Sequence, residues 1–80
     1  MPAEPRRAVA GELTTSELMA IIESGTSVIM QAEVMGRSHT VTLRLSDGTY
    51  YCDTPTNLHR HTDPAEMITC IESMGYTTPD

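Results

Sequence analysis

The dipeptide Asp47-Gly48, set between two alternating runs, constrains this 80-residue chain more than any other feature. An Asp-Gly pair tolerates positive φ at both central positions of a two-residue hairpin turn, the geometry that matches strand twist. Before the turn, Val41, Leu43 and Leu45 fall on one side of the run 39–45; after it, 49–53 supplies a short partner strand. The turn therefore pairs Leu45 with Tyr50 and Leu43 with Cys52. The run 27–35 alternates as well, with Val28, Met30, Ala32 and Val34 on one side. A second two-residue turn at Gly36-Arg37 pairs Ala32 with Val41, Met30 with Leu43 and Val28 with Leu45. Both turns place the apolar residues on the same face, and a one-residue slip in either would split them between faces.

Two helices flank these strands. Thr14 and Glu17 form a capping-box pattern, Leu13 and Leu18 occupy staple positions, and Gly25 supplies a left-handed stop, which predicts a helix over 15–24. Leu18, Ile21 and Ile22 mark its apolar side. Asp63 is a strong N-cap, Pro64 suits the first helical position and Glu66 the third. Met67, Ile68, Cys70, Ile71 and Met74 form the stripe of the second helix, and Gly75 ends it, with Tyr76 folding back on its last turn. Similar residues recur at an offset of 49, Glu17, Ile22, Glu23 and Ser24 matching Glu66, Ile71, Glu72 and Ser73. Helical periodicity accounts for much of that match.

The predicted fold is α+β, a helix, a three-stranded antiparallel meander and a helix (αβββα), with both helices on one face of the sheet. Residues 1–12 read as a flexible N-terminal arm, 13–77 as one domain and 78–80 as a frayed tail; 54–62 reads as a loop whose large apolar anchor is Leu58. This element order is similar to that of the double-stranded-RNA-binding fold. The resemblance is topological: the second helix opens on His61-Thr62-Asp63-Pro64-Ala65-Glu66, without lysines to hold phosphates, so function does not carry across.

Charge narrows the function. The net charge is −6, and the five basic residues are all Arg. A protein that binds nucleic acid through its backbone needs clustered cations to displace counterions, so direct nucleic-acid binding is not expected. A basic protein partner fits better. No apolar run is long enough for a secretory or membrane segment, and two cysteines make no disulfide framework, so the chain reads as cytoplasmic, with no membrane partner.

Residues able to carry chemistry are few. Cys52, His59, His61 and Cys70 are zinc-ligand types, but their spacing matches no pair of ligand knuckles, and Cys70 lies roughly 10 Å along a helix that starts after both histidines. Cys52 has no nearby cation or helix N-terminus to lower its thiol pKa, which argues against a nucleophile. No glycine-rich phosphate loop and no cofactor motif is present. Metal, cofactor and catalytic residues are therefore not expected, and the chain reads as a non-enzyme. Glu23 and Glu72, in the last helical turns, read as solvated acids or as an acidic patch.

The uncovered sheet face is the better candidate. Ile29, Gln31, Glu33 and Met35 lie beside Thr40, Thr42 and Arg44, then Tyr51 and Asp53, and Arg44 can stack on cross-strand Tyr51. In the simplest meander the run 27–35 is also an edge strand. Val28, Ile29, Met30 and Gln31 would then present unpaired backbone groups, an invitation to a second copy. These features together predict a small acidic interaction or regulatory module that binds protein and forms a homodimer, its contact residues being Val28, Ile29, Met30, Gln31, Glu33, Met35, Thr42, Arg44 and Tyr51. The alternative is an acidic inhibitor or antitoxin-like protein that occupies a nucleic-acid-binding site on its target; a metal-binding module is third.

Overall fold

The computed structural model describes residues 4–80 and, of Val34, the backbone alone. The fold is α+β: five strands and two helices, in the order β1 (Arg6–Val9), α1 (Thr15–Glu23), β2 (Val28–Val34), β3 (Arg37–Ser46), β4 (Thr49–Asp53), β5 (Leu58–His61) and α2 (Pro64–Ser73). The strands lie in chain order in one mixed sheet. The three-stranded meander is its centre, β2 through β4. The expected αβββα plan lacks the two flanking strands, and with them the topological likeness to the double-stranded-RNA-binding fold is lost.

The hairpin at Asp47-Gly48 forms as the sequence dictates, with φ of 51° and 77° at its central residues and with Leu45 opposite Tyr50 and Leu43 opposite Cys52. The preceding hairpin turns one residue earlier than expected. Met35 (φ 54°) and Gly36 (φ 79°) form its tip, so Val28 faces Leu43, Met30 faces Val41 and Ala32 faces His39. This shifts the expected pairing by two residues. Alternation fixes which face a residue takes, but registers two apart keep every side chain on its face, so the turn makes the choice. Met35 therefore sits at the tip in the left-handed region, where a non-glycine residue costs on the order of 1 kcal/mol.

Residues 6–9 are not an arm. They form β1, which runs parallel to β2 with Arg6 opposite Val28 and Val9 opposite Gln31. The Arg6 N–H donates to the Ser27 carbonyl at 2.8 Å and the Ala10 N–H to the Gln31 carbonyl at 2.8 Å. The expected arm's first three residues lie outside the described ones. At the other side, the expected loop supplies β5, with Tyr51 opposite Arg60 and Cys52 opposite His59. The expected frayed tail is also tied down. Thr78 bridges Thr14, its N–H donates to the Leu13 carbonyl and its carbonyl accepts from Thr15, both at 3.0 Å.

Both helices start on the expected caps. In α1 the Thr14 hydroxyl accepts from the Glu17 N–H at 3.1 Å, while Glu17 accepts from the Thr14 N–H at 2.9 Å. In α2 Asp63 accepts from the Ala65 N–H at 2.9 Å, with Pro64 in the first turn. Each ends with a returning bond: Thr26 to the Ile21 carbonyl, and Tyr76 to the Ile71 carbonyl. Leu18, Ile22, Met67 and Ile71 pack on Val28, Met30, Leu43 and Cys52, all eight fully buried. The helices thus cover one sheet face and leave the other open.

Leu43→Ala should cost about 2–5 kcal/mol in denaturant unfolding. That is a large share of the ~4–12 kcal/mol expected for a domain of this size. Removing residues 1–9 should strip β1 from β2, lower the unfolding midpoint and raise light scattering, because it bares a long apolar edge.

Candidate interaction surface

The register of the five strands decides which side chains share the open face. One row across the sheet reads Arg7, Ile29, Thr42, Asp53 and Leu58; the next carries Arg44, Tyr51 and Arg60. Val9, Gln31 and Thr40 follow on the other side, then Glu33 and Ser38. The Arg44 guanidinium carbon lies 4.1 Å from the centre of the Tyr51 ring, the stack that the sequence suggested. Gln31 and Thr40 are joined by a 3.1 Å side-chain hydrogen bond.

Of the residues expected at a contact, Ile29, Gln31, Glu33, Thr42, Arg44 and Tyr51 do share this face. Val28 and Met30 do not; they are fully buried beneath the helices, and the outer edge of β2 is taken by β1. The edge-to-edge homodimer through 27–35 therefore loses its physical basis. Met35 is 97% exposed, but at the hairpin tip rather than on the sheet. Contributors that were not anticipated include Arg7 and Val9 on β1, Ser38 on β3, and Leu58 and Arg60 on β5. Leu58, expected as a buried loop anchor, is 43% exposed. The pattern Arg7-Ala8-Val9, one small apolar residue between two outward ones, was the available signal.

Charge is divided between the faces. The open face carries three arginines and two acids, Glu33 and Asp53, a net +1, while the remaining two arginines and nine acids leave −7 elsewhere. Among the described residues the sole charged pair within 4.0 Å is His61 Nδ1 with Glu66, so no arginine has a carboxylate at that distance. The helix-end acids are engaged instead. Glu23 accepts from the Tyr50 hydroxyl at 2.9 Å, tying α1 to β4. Glu72 accepts from the Thr15 hydroxyl at 2.6 Å, and Thr15 and Thr77 are joined at 2.9 Å. These bonds give both acids a tethering role that the solvated-patch reading lacked.

The cysteines and histidines form no site. Cys52 and Cys70 meet between β4 and α2, where burial, the neighbouring Cys70 and Asp53 push the Cys52 thiol up to about 12. Burial raises Cys70 as well, partly offset by the hydrogen bond with Cys52. Such thiols stay protonated and make poor nucleophiles. His59 is exposed on β5; His61 is half-buried, and its Nε2 is buried without a partner among the described residues. Among the described residues no three His, Cys, Asp or Glu side chains gather where a metal could bind. A cleft of about 210 Å³ between the β4–β5 loop and the end of α2, lined by Val41, Pro55, Met74 and Tyr76 among others, is smaller than ordinary ligand pockets. No helix among the described residues is long and apolar enough to cross a membrane.

Fold and face define a small α+β domain whose mixed sheet is covered on one side and open on the other. Residues 2–79 match a family of unknown function (DUF8001), and the chain belongs to it. No curated protein and no solved structure matches the chain.

The buried hydroxyls and thiols set the alkaline limit of stability. Cys52 and Cys70 are raised from 9.0, Tyr50 from 10.0 chiefly by its bond to Glu23, and Tyr76 from 10.0 by burial. In each the neutral form is favoured in the fold, so the unfolded chain releases its proton first. Stability should hold below about pH 9 and fall as pH rises towards 12, as read by denaturant midpoints. Cys52→Ala should make that decline shallower.

Proposed function

We propose that this domain is a non-enzymatic protein-interaction module and that the open sheet face is where its protein partner docks. The observation that carries this reading is the stack of Arg44 on Tyr51, flanked by Arg60 and by Ile29 and Leu58, on a face that no helix covers. Tyrosine and arginine supply much of the binding energy at protein contacts, because a ring buries large area with few rotors and a guanidinium offers a fixed fork of donors. Ile29 and Leu58 add apolar area beside them. The core, by contrast, is closed: its thiols are protonated, and no group in it is set to attack or to transfer a proton.

A basic partner, the expectation from net charge alone, would have to meet the rest of the surface, helices included, over which the −7 is spread. Glu23 and Glu72 are partly committed there to Tyr50 and Thr15. The inhibitor reading rests on that same surface and lacks a comparable cluster.

Tyr51→Ala and Ile29→Asp test the reading, since neither side chain lies in the buried core. Both should keep the wild-type unfolding free energy to within about 1 kcal/mol. Each should weaken partner capture about tenfold or more, the loss typical of a central contact residue. Glu66→Gln on α2 serves as the control and should leave capture unchanged. Loss with Glu66→Gln and retention with both sheet variants would move the contact to the helical side.

A further inference from the structure

We infer that the segment docking on the open face is a short acidic stretch of protein, held by Arg44 and Arg60 on either side of Tyr51, with Arg7 farther across the same face. The inference rests on the interaction-module reading and adds the chemistry of the partner. Eleven acids outnumber five arginines in the chain, yet no described arginine has a carboxylate within 4.0 Å, and three of the five share this face. An acidic protein that leaves its cations unmatched on one surface presents them to carboxylates from outside.

The geometry suits carboxylates. The Arg44 guanidinium carbon lies over the Tyr51 ring and no described carboxylate is within 4.0 Å of it, so its N–H groups have no carboxylate partner and suit a two-pronged contact. Arg60 lies on the other side of Tyr51, two strand spacings from Arg44, roughly 10 Å. Carboxylates on one side of an extended peptide repeat every ~7 Å, and glutamate side chains span the difference. Arg7 stands in the adjacent row, with Ile29 and Leu58 available to the alkyl parts of the same peptide.

Two other occupants fit less well. A single-stranded nucleic acid carries a charge on every nucleotide, and any length beyond the face runs into the −7 of the remainder. A second copy offers its own face only two carboxylates, Glu33 and Asp53, against three arginines.

The test is backbone-amide chemical-shift mapping on the full chain, titrated with three probes of equal length: a Glu-Ser repeat peptide, a Lys-Ser repeat peptide and oligothymidylate. The Glu-Ser peptide should shift the amides around Arg7, Arg44, Tyr51 and Arg60, and its affinity should fall as salt rises. Arg44→Gln and Arg60→Gln should each weaken it roughly two- to fivefold. Absence of shifts with the Glu-Ser peptide, or shifts confined to the helical side, overturns the inference. Tighter binding of oligothymidylate overturns it in favour of nucleic acid, and a concentration-dependent dimer that shifts the same amides without any probe assigns the face to a second copy. Salt-insensitive capture of a partner that Tyr51→Ala still abolishes would leave the interaction module standing and remove only its acidic ligand.

Discussion

The pairing of β2 on both of its edges is the constraint from which the rest of this structure follows. Val28–Val34 is the most apolar strand and carries Glu33 as its single charge. Left at an edge it would template aggregation, since its outer N–H and C=O groups would be unpaired. Parallel β1 occupies that edge, and α1 spans the connection over the buried face, so the segment before the first helix becomes part of the core: Ala8 is 7% exposed against Met30. The exposed edges pass to β1 and β5. Both are four residues long, and both carry charged or titratable side chains, Arg6 and Arg7 on one, His59, Arg60 and His61 on the other. Short charged edges discourage further strand pairing.

The same two strands make the face. A three-stranded meander would offer Arg44 as the one arginine of that face, beside Tyr51. β1 brings Arg7 alongside Ile29, and β5 brings Arg60 alongside Tyr51. Charge segregation then arises from topology rather than composition. The acids sit at caps, turns and helix ends, where N–H groups or hydroxyls meet them, as at Asp63, Glu17, Glu23 and Glu72. The strand positions that point outward hold most of the arginines. Net charge averages over these two surfaces, which is why −6 pointed to a basic partner while the open face itself carries a net +1.

What could be read from the sequence was what is local. The capping box at Thr14, the Asp63-Pro64 start and the Asp47-Gly48 turn each act over a few residues, and each formed as expected. Alternation gave the facing of β2, β3 and β4, hence Leu43 in and Arg44 out. It did not distinguish registers two residues apart. β1 escaped because its signal is four residues long and its partner lies 22 residues on, across a helix. Leu58-His59-Arg60-His61 lacks β-branched residues altogether and becomes a strand only because β4 offers it an edge. Tertiary context supplied both strands, so two of the three arginines on the face were invisible as a cluster.

An 80-residue chain buries a modest share of its surface, and that shortfall argued for a second copy. The fold meets it by closing its two ends on each other. Gly11 donates to the Tyr76 carbonyl at 3.1 Å, Thr15 donates to the Thr78 carbonyl and Thr78 to the Leu13 carbonyl beside the Thr15–Thr77–Glu72 network, and the Ser16 N–H reaches Asp80 at 2.9 Å. Tyr76 and Thr77, next to the expected tail, are 5% and 4% exposed. These contacts bury apolar and polar groups with their partners, so a dimer is not required to complete the core. Neither helix packs on the open face, and none of its described side chains is fully buried. A surface that must be kept for stability tends to be buried, and Arg44, Tyr51 and Arg60 stand on one that the core does not need for its closure.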